Sequence, residues 1–403
     1  MATTDPTPAP GAKPRIHPSV WALGFVSMLM DISSEMIHAL LPIYMVAVLG
    51  TSVLAVGVIE GMAEATAAVT KVFSGAWSDR MGKRKPLALL GYGLAALTKP
   101  VFPLAPGLEW LIGARFIDRV GKGIRGAPRD ALVADVTPPE QRGAAYGLRQ
   151  TLDTIGAFLG PLLAIGLMWL TASHFQTVFW VAVIPAMLAL LVLALFVREP
   201  ERPPTAAAPP RSPLSRQQLA QLDRRYWWVV ALAMVFTLAR FSEAFLILRS
   251  QSLGLPALWA PAVLVVMALA FSVSAYPAGV LSDRLGRTGV LQIGLVLLIA
   301  ADLVLAFAPG WVGLAAGVVL WGLHMGFTQG VFGALVADSA PAQLRGTAFG
   351  LFHLLTGIAL LLASVIAGAL WDVFGHSATF LAGAAFATLA LAGMLPQTGL
   401  RAR

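Results

Sequence analysis

Apolar stretches long enough to cross a bilayer recur along the whole chain, and nothing constrains its fold more tightly. A membrane-spanning helix needs about 20 apolar residues. Twelve such stretches can be drawn, starting near Val20, Val53, Pro86, Trp110, Ala144, Val178, Tyr226, Pro256, Gly289, Trp311, Thr347 and Thr379. Lipid offers backbone groups no partners, so each stretch is predicted to be a helix. Between the sixth and seventh lies REPERPPTAAAPPRSPLSRQQLAQLDRR, too polar and Pro-rich to cross. The chain is 58% hydrophobic and 12% charged, against about 25% charged in soluble domains. An all-α polytopic membrane protein is expected. Its parts would be a tail (1–18), a six-helix bundle (19–197), a linker (198–225), a second six-helix bundle (226–396) and a short tail (397–403).

The position of the charges accounts for the net +8. Lys13, Arg15, Arg80, Lys83, Arg84, Lys85, the linker arginines, Arg284, Arg287, Arg401 and Arg403 all fall on one side of a twelve-span chain. The opposite loops are nearly free of Lys and Arg, Lys99 and Arg249 being the main exceptions. Basic loops face the cytoplasm, so both termini are expected there, with the chain in the cell membrane, for a bacterium the inner membrane. The positive charge is then topological and calls for no nucleic acid. No cleavable signal peptide is expected, because the first apolar stretch is too long and carries acids. Cysteine is absent, which removes thiolate metal sites and disulfides.

The two halves repeat without gaps. ALVADVTPPEQRGAAYGL from Ala131 matches ALVADSAPAQLRGTAFGL from Ala334 at an offset of 203. GAWSDRMGKR from Gly75 matches GVLSDRLGRT from Gly279 at 204. Six helices per half make the repeat parallel, an arrangement found in secondary transporters that bind substrate between the halves. On these residues the chain resembles the major facilitator superfamily. The Gly-x-x-x-Asp-Arg-x-Gly-Lys-Arg loop motif is filled by Gly75, Asp79, Arg80, Gly82, Lys83 and Arg84, while Thr288 breaks its second copy. The resemblance implies two six-helix bundles related by a pseudo-two-fold axis, and a conformational latch in which Arg80 and Arg84 meet Asp130 and Asp135. A purely topogenic loop would need neither Asp79 nor the glycines. Gly156, Gly160 and Pro161 resemble a fifth-helix pattern of proton-antiporting exporters; plain small-residue packing competes with that reading.

The first span reads MLMDISSEMIHALLP, with Asp31 and Glu35 near its centre. Each acid costs roughly 2.5–3.5 kcal/mol to insert, so both must face the interior. The fourth span carries Arg115, Arg119, Lys122, Arg125 and Arg129 at spacings of 4, 3, 3 and 4, one helical face. At offset 203 these become Val318, Gly322, Met325, Thr328 and Phe332. The fold therefore does not require the charges, which points to function.

Asp31, Glu35, Glu64 and Asp153 are candidate proton-coupling residues. Asp31, Glu35 and Asp153, with Arg119, Lys122, Arg240 and Glu243, form the candidate cavity set; Arg240 and Glu243 are close enough in sequence to pair. The expected partners are protons, lipid and a small molecule, for which the basic face of the fourth span suits an anion. A monomer without cofactor or resident metal is expected. No nucleophile–base pair, zinc motif or phosphate loop suggests an enzyme. Proton-coupled export, anion import by symport, and metal export through Asp31, Glu35 and His38 remain open.

Overall fold

The structure is a computed structural model that describes residues 16–81, 83–138, 141–200, 220–341 and 344–394. Twelve long helices run back and forth through these residues. The first bundle comprises α1 (Pro18–His38), α2 (Val53–Met81), α3 (Lys85–Thr98), α4 (Leu108–Asp135), α5 (Arg142–Leu170) and α6 (Phe175–Phe196). The second opens with α7, which runs Arg224–Ala239, breaks, and resumes as Ala244–Ser252. It continues with α8 (262–285) and α9 (287–307), separated by Gly286 at φ +77°, where the left-handed backbone suits glycine. It ends with α10 (Trp311–Ser339), α11 (Arg345–Phe374) and α12 (His376–Met394). No strand occurs among the described residues.

Eleven helical segments are long and apolar enough to cross a membrane. The helix that fails this test is α4, whose interior carries the charged face. It packs between α2 and α3, and its charged face is met by acids of α1, α2 and α5.

Helix starts are fixed by side chains that accept from free backbone amides. The His17 ring takes Ser19 N at 3.1 Å to start α1. Asp223 takes Tyr226 N at 2.9 Å to start α7. Glu199, just beyond α6, takes the amides of Arg84 and Lys85 to start α3, where an acid also suits the positive end of the helix.

The two exceptions to the charge rule are structural cations. Lys99 is buried and donates to Asp118 at 2.9 Å and Ser34 at 3.0 Å. Arg249 is buried and donates to the carbonyls of Leu305 and Ala308 at 2.9 and 2.8 Å, closing the end of α9.

The halves meet chiefly where α2 runs along α11, and again where α5 touches the α8–α9 stretch. A Cβ at Gly61 would stand 2.9 Å from Leu361 Cα, and one at Gly368 2.7 Å from Leu54 Cα. Small residues are what allow backbones so close. At the end away from the 81–85 loop, Asp372 of α11 accepts from Val53 N and Leu54 N at 3.1 and 2.9 Å. A carboxylate of one half thus caps a helix of the other. Asp372→Ala is expected to cost this closed arrangement about 1 kcal/mol, roughly a five-fold shift towards separation of the two ends. Spin labels on Ser52→Cys and Val373→Cys, in a chain with no native cysteine, would read it as a larger population of long distances. An unchanged distance distribution would show that the cap does not hold the gate.

Candidate functional site

The charged side chains of α4 meet acids from three other helices. Arg115 donates to Glu60 of α2 at 2.6 Å, with both side chains almost fully buried. Arg119 pairs with Glu64 at 3.0 Å and lies 3.8 Å from Asp118. Arg125 reaches Asp31 of α1 at 4.0 Å and stacks over the Tyr92 ring at 4.6 Å. Arg129 approaches Asp153 of α5 at 3.6 Å, contacts Asp130 at 3.1 Å and donates to Ser27 at 2.9 Å. In hydrocarbon such charges persist only when paired or facing water.

Several contacts join groups that the sequence kept apart. Arg149 of α5, absent from the sequence candidates, lies 3.7 Å from Asp130 and 3.6 Å from Asp153. His38 lies between Glu35 at 3.4 Å and Glu60 at 3.6 Å. Arg84 pairs with Asp135 at 2.9 Å. Gly82 lies outside the described residues, as do the side-chain positions at Gly75, Asp79 and Arg80. Arg240 and Glu243 form no ion pair within 4 Å, correcting the expected pairing: the break in α7 falls between them, so they are not one turn apart on a continuous helix.

The fifth-helix motif and the acids of α1 are one construction. A Cβ at Gly156 would lie 2.9 Å from Met28 Cα and 3.1 Å from Asp31 Cβ. One at Gly160 would lie 2.6 Å from Glu35 Cβ and 2.9 Å from the Ile32 carbonyl. The two glycines press α5 against the turns that carry Asp31 and Glu35. Pro161 follows inside the same helix.

Two neighbouring chambers lie between the halves. The larger, about 360 Å³, has Glu64 on one wall and Phe236, Arg240, Gln329, Phe332 and Phe352 on the other. The smaller, about 180 Å³, is lined by Glu35, Glu64, Arg119 and Lys122 from the first half and by Arg240 and Glu243 from the second. Glu64, Arg240 and Leu360 border both. Lys122 and Arg240 face the smaller chamber from opposite halves, and neither has an ion-pair partner within 4 Å among the described residues. An aromatic, mostly apolar chamber beside a charged one suits a small molecule with a polar head. Among the described residues no three His, Cys, Asp or Glu side chains are grouped to hold a metal ion.

The model of the Major Facilitator Superfamily matches residues 23–359 and 250–399. The chain belongs to the major facilitator superfamily. It is a multi-pass membrane transporter and not an enzyme. Among its relatives, the MFS-type transporter MJ1317 of Methanocaldococcus jannaschii is 33% identical over 381 residues, 92% of each chain. The multidrug resistance protein MdtH of Photorhabdus laumondii is 30% identical over 238 residues, 58% of this chain and 57% of its own. The crystal structure of the nucleoside transporter NupG superposes with a TM-score of 0.76 at 14% identity, covering 94% of this chain and 99% of NupG. That last likeness speaks for the fold alone.

Proposed function

We propose that this transporter exports a small amphiphilic molecule in exchange for protons, by rocking of the two bundles about the shared chambers. The observation that carries the reading is the packing of the α5 glycines onto the turn of α1 that holds Asp31 and Glu35. This packing sets titratable acids of α1 against the helix that carries the exporter-like pattern. Asp31, Glu35, Glu64 and Asp153 would take the proton; Arg119, Arg125 and Arg129, beside them, would hold them charged when it leaves. Substrate in the smaller chamber would compete for those of these charges that line it, Glu35, Glu64 and Arg119, whereas Asp31 and Asp153 lie outside the lining of both chambers. The likeness to MdtH over part of the chain supports export. The basic end of the bundle, with the 81–85 loop, is assigned to the cytoplasm. The ion pair of Arg84 with Asp135 would then act as part of the cytoplasmic latch, together with Gly75, Asp79, Arg80, Gly82 and Asp130. The Asp372 cap would close the outer side.

A second reading, uptake of an anion by proton symport, is favoured by Lys122 and Arg240, the cations of the smaller chamber without a direct partner. Reconstituted vesicles with an imposed pH gradient separate the two. Proton flow opposite to substrate supports antiport, flow in the same direction supports symport, and no flow sinks both.

Whichever direction holds, an anionic group on the substrate would bridge Lys122 and Arg240. Lys122→Gln or Arg240→Gln then removes one charge-assisted contact, worth about 1.5–3 kcal/mol. KM for an anionic substrate is expected to rise roughly 10- to 150-fold, with the maximal rate much less affected. An unchanged KM in both variants would exclude the anion bridge.

A further inference from the structure

Among the described residues the second half holds few buried charges, and one of them, Asp302, has no partner. Asp302 lies on α9, one turn and a residue short of the helix end at Phe307. It is fully buried, and neither carboxyl oxygen has a hydrogen-bond partner among the described residues. No ion pair reaches it within 4 Å. The cations and histidines on the elements around α9 are otherwise engaged or remote. On α7, Arg249 is spent on the carbonyls of Leu305 and Ala308. Arg240 and Glu243 face the smaller chamber. On α10, His324 turns its Nδ1 to the Gly294 carbonyl at 2.9 Å. On α12, His376 packs on Trp371.

What faces Asp302 is backbone. A Cβ at Gly383 of α12 would stand 2.6 Å from Asp302 Oδ2 and 3.2 Å from the carbonyl oxygen of Ala239. Carboxyl and carbonyl thus flank one point on α12, and the absence of a side chain at Gly383 is what lets them approach. Ala239 is the last helical residue before the break in α7. Its carbonyl belongs to the helix end that has no amide of its own helix ahead of it. Both acceptors therefore border the same small gap over Gly383, and no donor to either carboxyl oxygen is found among the described residues.

We propose that Asp302 is a proton-binding site in the second half, its carboxyl O–H donating to the carbonyl end of α7 at the break. With the proton in place, α9 and α7 are tied by one hydrogen bond. With the proton gone to water, a carboxylate faces the negative end of a helix, which is repulsive. Arg240 follows Ala239 directly in the chain and lines both chambers. Occupancy of Asp302 thereby sets the position of the cation that the second half presents to substrate. This last link rests on the proton-coupled reading above; the proton site itself does not.

The test uses the full chain reconstituted in lipid. Infrared difference spectra of wild type against Asp302→Asn are expected to show, at neutral pH, the carbonyl stretch of one protonated carboxyl that the variant lacks. The band should be the same in sodium and potassium salts and should vanish on strong alkalinisation. Because Asp302→Asn could misfold, the wild-type band is also titrated alone. No band at neutral pH overturns the proposal, as does a band that sodium removes, which would make the position a cation site. In transport, raising the external pH is expected to slow wild type at least about three-fold more than Asp302→Asn; identical alkaline profiles overturn the link to Arg240. If no proton flux accompanies transport but the band is present, the coupling reading fails and the proton site stands. If flux is present and the band absent, the reverse holds.

Discussion

Arg115→Ala is expected to destabilise the protein by about 3 kcal/mol, the low end of the usual 3–5 kcal/mol for stripping one partner from a buried ion pair. Glu60 and Arg115 meet at 2.6 Å with nearly fully buried side chains. Removing the arginine leaves a carboxylate without its main partner in a medium of low dielectric. The low end applies because His38 Nε2 remains 3.6 Å from the same carboxylate oxygen. Glu60→Gln leaves the guanidinium uncompensated and is expected to cost a similar amount. The double variant Glu60→Gln with Arg115→Gln keeps the shape without the charges and should recover most of the loss. Unfolding of the purified protein in detergent would measure all three. Single variants as stable as wild type would show that this pair is not structural and would return it to the functional network.

The membrane class and the twelve spans were legible because lipid leaves a chain few choices, so helix length and apolarity settle the matter. The inward turn of the α4 charges was legible for the same reason. Their partners were not. A helical periodicity gives the face of a helix but not its rotation against a neighbour, so the pairing of Arg115 with Glu60, or of Arg129 with Asp153, needed three dimensions. Arg149 was not among the candidates because it lies near a helix start, where a basic residue usually marks a loop end, and Lys99 showed only as an exception to the charge rule, not as a partner of Asp118. Asp302 stands as a lone acid in an otherwise apolar span, but a lone acid carries no periodicity that would name what it faces. Nothing in the sequence marks Asp372 as a cap; only the approach of α2 to α11 makes it one. The expected Arg240–Glu243 pair assumed an unbroken seventh helix. Nothing in LARFSEAF announces a break, since no proline or glycine interrupts it.

Asp31→Asn is expected to abolish uphill transport while leaving downhill exchange. A pH gradient of two units stores about 2.7 kcal/mol per proton, enough to hold roughly a 100-fold substrate gradient with one coupled proton. Without a titratable group at position 31 that gradient should collapse to about one, although substrate can still equilibrate. Asparagine keeps the shape of the side chain, and Arg125 keeps its stacking on Tyr92 at 4.6 Å, so the fold has little reason to change. A second variant separates the acid from its setting. Gly156→Val would drive a side chain into Met28 and Asp31, pushing α1 from α5 with the carboxyl intact. If position and proton act together, Gly156→Val should lose accumulation as Asp31→Asn does, and should also slow downhill exchange because the helices no longer meet. Full accumulation by Asp31→Asn would move the coupling proton to Glu35, Glu64 or Asp153. Their neutral variants, measured in the same vesicles, would then decide which carboxylate the helix contact serves.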